Sequence, residues 1–164
     1  MAVEMGEYVV GAYLRLVEEC DVVDYNVRPI ASGREGQSEI DAVGLRFKDG
    51  TAFLCEVATH LDGLNYGSYD ATVGRIREKF LRQQRYAKSY LRSFAHPIFM
   101  LWAPWVPMGT LTERLAKLNG LELVINGDYT SQIEQLESHA RTTTKDFGNP
   151  FFRALQIVNH LRPR

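Results

Sequence analysis

The chain has 164 residues and a mass of 18.7 kDa, with 45% hydrophobic and 24% charged residues and a net charge of -1 at pH 7. That is the size and balance of one globular domain, which excludes a multidomain machine, a disordered chain and a fibrous one. No run approaches the roughly 18 consecutive apolar residues of a membrane span, and MAVEMGEY lacks the basic-then-apolar order of a signal peptide, so the expected location is the cytoplasm.

The charge is unevenly placed. Residues 73 to 92 hold seven cations (Arg75, Arg77, Lys79, Arg82, Arg85, Lys88 and Arg92) against the single Glu78. This segment carries +6, which leaves -7 for the rest of the chain. A basic element on an acidic domain suits a polyanionic partner; the plainer reading is a solvated helix face. The two cysteines, Cys20 and Cys55, sit apart in apolar stretches and read as core thiols.

In chain order, residues 3 to 20 read as a helix, with Met5, Val9, Tyr13, Leu16 and Cys20 at helical spacing and Glu4 and Glu7 in the first turn. DVVDYNVRPI reads as a strand stopped by Pro29, and ASGREGQS as a polar loop. EIDAVGLRF and TAFLCEVATH are two strand-like runs separated by KDG, and Asp49-Gly50 predicts a two-residue type I′ turn. After the loop LDGLNYGSYD, residues 71 to 92 form the basic helix, and HPIFMLWAP reads as a continuously buried strand. A helix from Thr110 to Leu118 ended by Asn119-Gly120, a short strand LELVI and a helix within 128 to 143 follow. A last helix opens at Asn149-Pro150 and runs to about Leu161. No linker divides the chain, so one domain is expected.

The predicted turn fixes a register in which Lys48 faces Thr51, Val43 faces Glu56 and Asp41 faces Ala58. Glu39, Asp41, Val43, Leu45 and Phe47 then share a face with Ala52, Leu54, Glu56, Ala58 and His60. Asp41 and Glu56 become diagonal neighbours about 7 Å apart, on a face otherwise apolar. Two such carboxylates repel, so something cationic should sit between them, and a hard divalent ion such as Mg²⁺ suits the place; the alternatives are that the turn register slips or that Asp41 pairs with an arginine of the basic helix.

The order αβββαβ, the acid Glu7 in the first helix, the segment GREGQSEIDAVGL and the partner FLCEVATH resemble the PD-(D/E)XK nuclease superfamily, which includes restriction endonucleases and archaeal Holliday junction resolvases. The resemblance covers about residues 3 to 105. It implies an α/β fold with a restriction endonuclease-like αβββαβ core on a mixed central sheet, followed by a C-terminal α/β extension over about 106 to 164. It further implies Mg²⁺ or Mn²⁺ held by Asp41 and Glu56 with Glu7 completing the site, and hydrolysis of phosphodiester bonds. The lysine that the motif carries two residues after the third-strand glutamate is replaced here by Ala58. His60, on the same face, and Lys79, on the following helix, are the residues placed to compensate, since the motif lysine migrates in this superfamily.

At 100° per residue Arg75, Lys79, Arg82 and Tyr86 lie on one flank of the basic helix beside an apolar stripe, with Gln83 at the border. The superfamily often carries a glutamine on this helix, which favours Gln83 over Gln84. Arg34, Arg75, Lys79, Arg82, Gln83 and Arg85 are therefore the candidate nucleic-acid contacts. The expected partner is DNA, duplex or branched, with no membrane partner and homodimerisation left open. His96, His139 and His160 have no ligand spacing, Gly33 and Gly36 lack the context of a phosphate loop, and WAPWVP reads as packing. The competing reading is a nuclease-like module that lost chemistry with its lysine and binds nucleic acid or protein.

Overall fold

The computed structural model describes residues 2 to 29 and 39 to 161. Arg34, Gly33 and Gly36 lie outside the described residues. The elements are α1 (Met5–Leu16), β1 (Val22–Val27), β2 (Ile40–Arg46), β3 (Thr51–Val57), α2 (Tyr69–Tyr90), β4 (His96–Ala103), α3 (Thr110–Ala116), β5 (Leu121–Ile125), α4 (Asn126–Thr142) and α5 (Pro150–Leu161). The fold is α/β, with a five-stranded mixed sheet in the order β1-β2-β3-β4-β5. Its first three strands are antiparallel, and β3, β4 and β5 run parallel.

The parallel strands require crossovers, and α2 and α3 supply them. Alternation along each strand divides the core between the two faces. Phe53, Cys55, Met100, Trp102 and Val124 pack with Val10, Tyr13 and Leu14 of α1 and with Leu136 and Phe152 of α4 and α5. On the other face, Val43, Ala52 and Leu54 meet Ala87 of α2, while Leu101 and Ala103 meet Val73 and Ile76 of α2 and Leu111 and Leu115 of α3. Gly44 lets α1 and the turn after it approach the sheet, because a Cβ there would stand 3.2 Å from Leu14 Cδ1 and 2.9 Å from Cys20 Sγ. None of the described helices is long and apolar enough to cross a membrane.

Several sequence expectations are corrected. Helix α1 stops at Leu16, not at residue 20: Glu19 takes a left-handed φ of 54°, and the Cys20 N–H turns back to the Leu14 carbonyl at 2.9 Å. Cys20 is still buried, whereas Met5, placed on the packing stripe, is exposed. Strand β4 is buried only from Met100 onward, since His96 and Pro97 are exposed at its start.

The hairpin turn is longer than predicted. Arg46 pairs with Thr51, which leaves residues 47 to 50 as a four-residue loop. A type I′ turn needs positive φ at both central residues, and in this loop only Gly50, at 67°, has it. Asp49 instead uses its carboxylate to accept from Arg46 Nε and from the Thr51 N–H. The register therefore moves by two residues: Val43 pairs with Leu54, not Glu56, and the expected pairing of Asp41 with Ala58 is lost. A shift of two preserves the faces.

Candidate active site

Continuing the β2–β3 register by one residue beyond Ala42 and Cys55 sets Asp41 directly opposite Glu56, closer than the diagonal placement expected. Continuing the β1–β2 register likewise sets Asn26 opposite Asp41. Asn26 has a φ of 52°, a left-handed conformation that asparagine tolerates better than most residues, and it sends its Nδ2 toward Glu7 Oε2 at 3.4 Å. Asn26, Asp41 and Glu56 thus form a row across the first three strands.

Glu56 is 4% exposed, and its carboxylate is met by the Lys79 ammonium from α2. A buried and a half-buried carboxylate on adjacent strands call for a cation beside them, and the lysine of the helix above supplies it at Glu56. Asp41 Oδ2 accepts from the Val57 N–H at 2.7 Å, which ties the side chain to the end of β3. Burial pushes the Asp41 carboxyl above the ordinary range; the Val57 N–H and then Lys79 pull it down, Glu39 raises it and Arg82 lowers it. Burial likewise favours the neutral form of Lys79, against the attraction of Asp41 and with Arg82 adding to the effect. Contact with the Glu56 carboxylate works against this and favours the charged form.

Glu7 enters from the first turn of α1. It is 8% exposed, and its Oε2 accepts from the Glu4 N–H at 2.9 Å, capping its own helix. Burial raises its pKa, the bond from Glu4 lowers it, and the charges of Asp41 and Glu4 raise it. Glu7 and Asp41 therefore share one electrostatic environment although they come from different faces of the sheet.

Glu7, Asp41 and Lys79 border a cleft of about 490 Å³ at the end of the sheet where β3 finishes, and Glu56 lies buried behind Lys79 without lining it. Glu4, Glu7, Glu39 and Asp41 form its acidic wall, and Arg75, Lys79 and Arg82 of α2, with Glu78, form the opposite wall. His60 and Tyr66 close one side. The His60 ring meets Tyr66 edge-on at 5.2 Å, and the Arg75 guanidinium lies 4.2 Å over the same Tyr66 ring. Arg82 donates to the Glu39 carbonyl at 3.2 Å, and Arg28 pairs with the Glu39 carboxylate at 2.7 Å.

Seven of the sequence candidates thus converge: Glu7, Asp41, Glu56, His60, Arg75, Lys79 and Arg82. Arg85 is exposed on α2 and does not line the cleft. Gln83 is buried, and its Nε2 donates to the Met100 carbonyl at 3.2 Å, which places the amide between α2 and β4. Asn26, Glu39 and Tyr66 were not singled out from the sequence. Asn26 and Tyr66 carry no local signal for such a place, whereas Glu39 was already on the Asp41 face.

No protein-family model matches the chain, and no curated protein is significantly similar to it.

The donor set can be tested for a divalent ion on its chemistry. Asp41, Glu56 and Glu7 offer only carboxylate oxygens, the type that Mg²⁺ and Mn²⁺ prefer, and Mg²⁺ is commonly bound by one or two carboxylates plus phosphate oxygens. Glu56 Oε1 is buried and meets no donor other than Lys79 among the described residues. Among the described residues no three His, Cys, Asp or Glu side chains are gathered closely enough for one ion. Asp41 and Glu56 alone would suit such an ion only if phosphate oxygens completed the coordination.

Proposed function

We propose that the protein is a Mg²⁺- or Mn²⁺-dependent phosphodiesterase acting on DNA, of the PD-(D/E)XK type. One observation carries this reading: Lys79 of α2 meets Glu56 beside Asp41, which supplies from the helix the cation that Ala58 does not provide. Asp41 and Glu56 would hold the ion, with Glu7 next to Asp41. When bound, that ion supplies activation of water and neutralisation of charge on the scissile phosphate.

The chain's own residues do the rest. Lys79 has three N–H donors; one face of the ammonium holds Glu56, and the others are available to a water or a non-bridging phosphate oxygen. Arg75, fixed on Tyr66, and Arg82, fixed on Glu39, present guanidinium groups to the backbone phosphates. In the hydrolysis a water oxygen bonds to phosphorus, the ester P–O bond breaks, and the leaving oxygen takes a proton. His60 lines the cleft as a group able to carry that proton.

A second reading has its own observation. Lys79 already neutralises Glu56 without an ion, as it would in a binding module that had lost catalysis. Purified protein incubated with supercoiled plasmid or branched DNA and Mg²⁺ or Mn²⁺ separates the two. The nuclease reading expects cleavage that EDTA and Asp41→Ala abolish. Nucleic-acid binding without cleavage favours the module, and cleavage that survives Asp41→Ala counts against the assignment of the site.

A further inference from the structure

A second groove lies on the far flank of α2. It has a volume of about 400 Å³ and is lined by Asp70, Val73, Gly74 and Arg77 of α2, by Arg114 of α3 and by Lys117 just after that helix ends. Three cations against one acid face a single hollow. Asp70 pairs with Arg114, which fixes that guanidinium across the gap between the two helices. Arg77 and Lys117 have no ion-pair partner among the described residues. The floor is Gly74, where an added Cβ would meet nothing within 4 Å, so helix backbone lies open at the bottom of the groove.

The position of this groove relative to the cleft gives it meaning. At 100° per residue Arg77 points about 160° away from Arg75 and Lys79 around the axis of α2. The buried stripe Val73, Ile76 and Phe80 separates the two flanks on the core side, and exposed helix surface separates them on the solvent side. A helix with its side chains is about 10–12 Å across, comparable to the roughly 12 Å width of a duplex major groove. Two rows of cations on opposite flanks of one helix can therefore meet two backbone strands, where a single row could follow only one.

We propose that the groove between α2 and α3 is a second phosphate-binding site, formed by Arg77, Arg114 and Lys117, that takes the phosphodiester backbone of a strand other than the one lying in the cleft. The inference builds on the phosphodiesterase reading for the strand in the cleft, but the groove's own chemistry requires only a polyanion. Its cations hold phosphate by charge and carry no base selectivity. Filling the floor at Gly74 blocks the groove without changing any charge.

The test uses fluorescence anisotropy with a 20-base-pair DNA duplex and the corresponding single strand over a series of salt concentrations, with plasmid cleavage measured in parallel. Arg77→Gln combined with Lys117→Gln should lower the slope of log K against log salt for the duplex by about two, and leave the single-strand slope unchanged. Gly74→Met should weaken duplex binding at least threefold with circular dichroism and melting temperature preserved, because methionine is a better helix former than glycine. Unchanged duplex slope in the double variant, unchanged affinity in Gly74→Met, or equal loss for duplex and single strand would overturn the proposal. Normal cleavage with an unchanged slope removes the groove and leaves the phosphodiesterase reading standing. A lowered duplex slope without metal-dependent cleavage keeps the groove and removes that reading.

Discussion

The ammonium of Lys79, midway along α2, lies on the carboxylate of Glu56 on β3, with side-chain exposures of 18% and 5%. Removing one partner strands a charge in the core. Lys79→Met should cost about 3 kcal/mol in urea unfolding, and adding Glu56→Leu should recover most of that, because an apolar pair of similar volume tolerates burial that a lone carboxylate does not. Both variants should lose cleavage. A loss below about 1 kcal/mol in the single variant would mean that the pair does not hold α2 to the sheet.

The raised carboxyls of Asp41 and Glu7 give a pH dependence whose sign can be worked out. Asp41 is raised from its ordinary 3.8 by burial first, so between that value and its folded value the native state binds more protons than the unfolded chain. Stability then falls as pH rises through this window, and Glu7, raised from 4.5, acts in the same direction. Asp41→Asn keeps an oxygen for the Val57 N–H and removes the titration. Melting temperatures from pH 3.5 to 7 should therefore decline less steeply relative to the other carboxylates in Asp41→Asn than in the parent. Identical profiles would show that Asp41 is not desolvated.

Arg75 and Arg82 are the two cleft cations fixed by an aromatic ring and a carbonyl, without a carboxylate ion pair among the described residues. Replacing both with glutamine should reduce the slope of log K against log salt for DNA by about two. An unchanged slope would mean that phosphates do not reach this wall.

Much of the arrangement was legible because strand alternation has a period of two. The Asp-Gly pair suggested the wrong turn, yet the resulting slip was also two residues, so Asp41 and Glu56 stayed on one face and came closer together. Had the slip been one residue, the acids would have parted. The partner of Glu56 was legible only as a choice between an ion and a basic side chain, since the height of α2 above β3 depends on how Ala87, Ile76 and Val73 pack on the sheet. The end of α1 was misread because Cys20 is apolar and correctly spaced, but reaches the core through the turn at Glu19 rather than through the helix. The groove at Gly74 was not legible, because Arg114 and Lys117 lie far along the chain and meet Arg77 only through the β4–α3 crossover.

The hairpin loop makes a structural prediction independent of function. Gly50 has a φ of 67° with ample room for a Cβ, its nearest neighbour being the Ala95 nitrogen at 3.6 Å. Gly50→Ala should therefore cost backbone strain alone, about 1 kcal/mol or roughly a 3 °C drop in melting temperature. No change would argue that the loop can adopt another turn.

The most direct measurement of the central claim is calorimetric titration of the protein with Mn²⁺, comparing the parent with Asp41→Asn and Glu56→Gln. The claim that these two carboxylates form a divalent-metal site expects one binding event in the parent, tightened by a non-cleavable DNA duplex that brings phosphate oxygens, and abolished in both variants. An absence of Mn²⁺ binding in the presence of DNA, or binding left unchanged by Glu56→Gln, would contradict it.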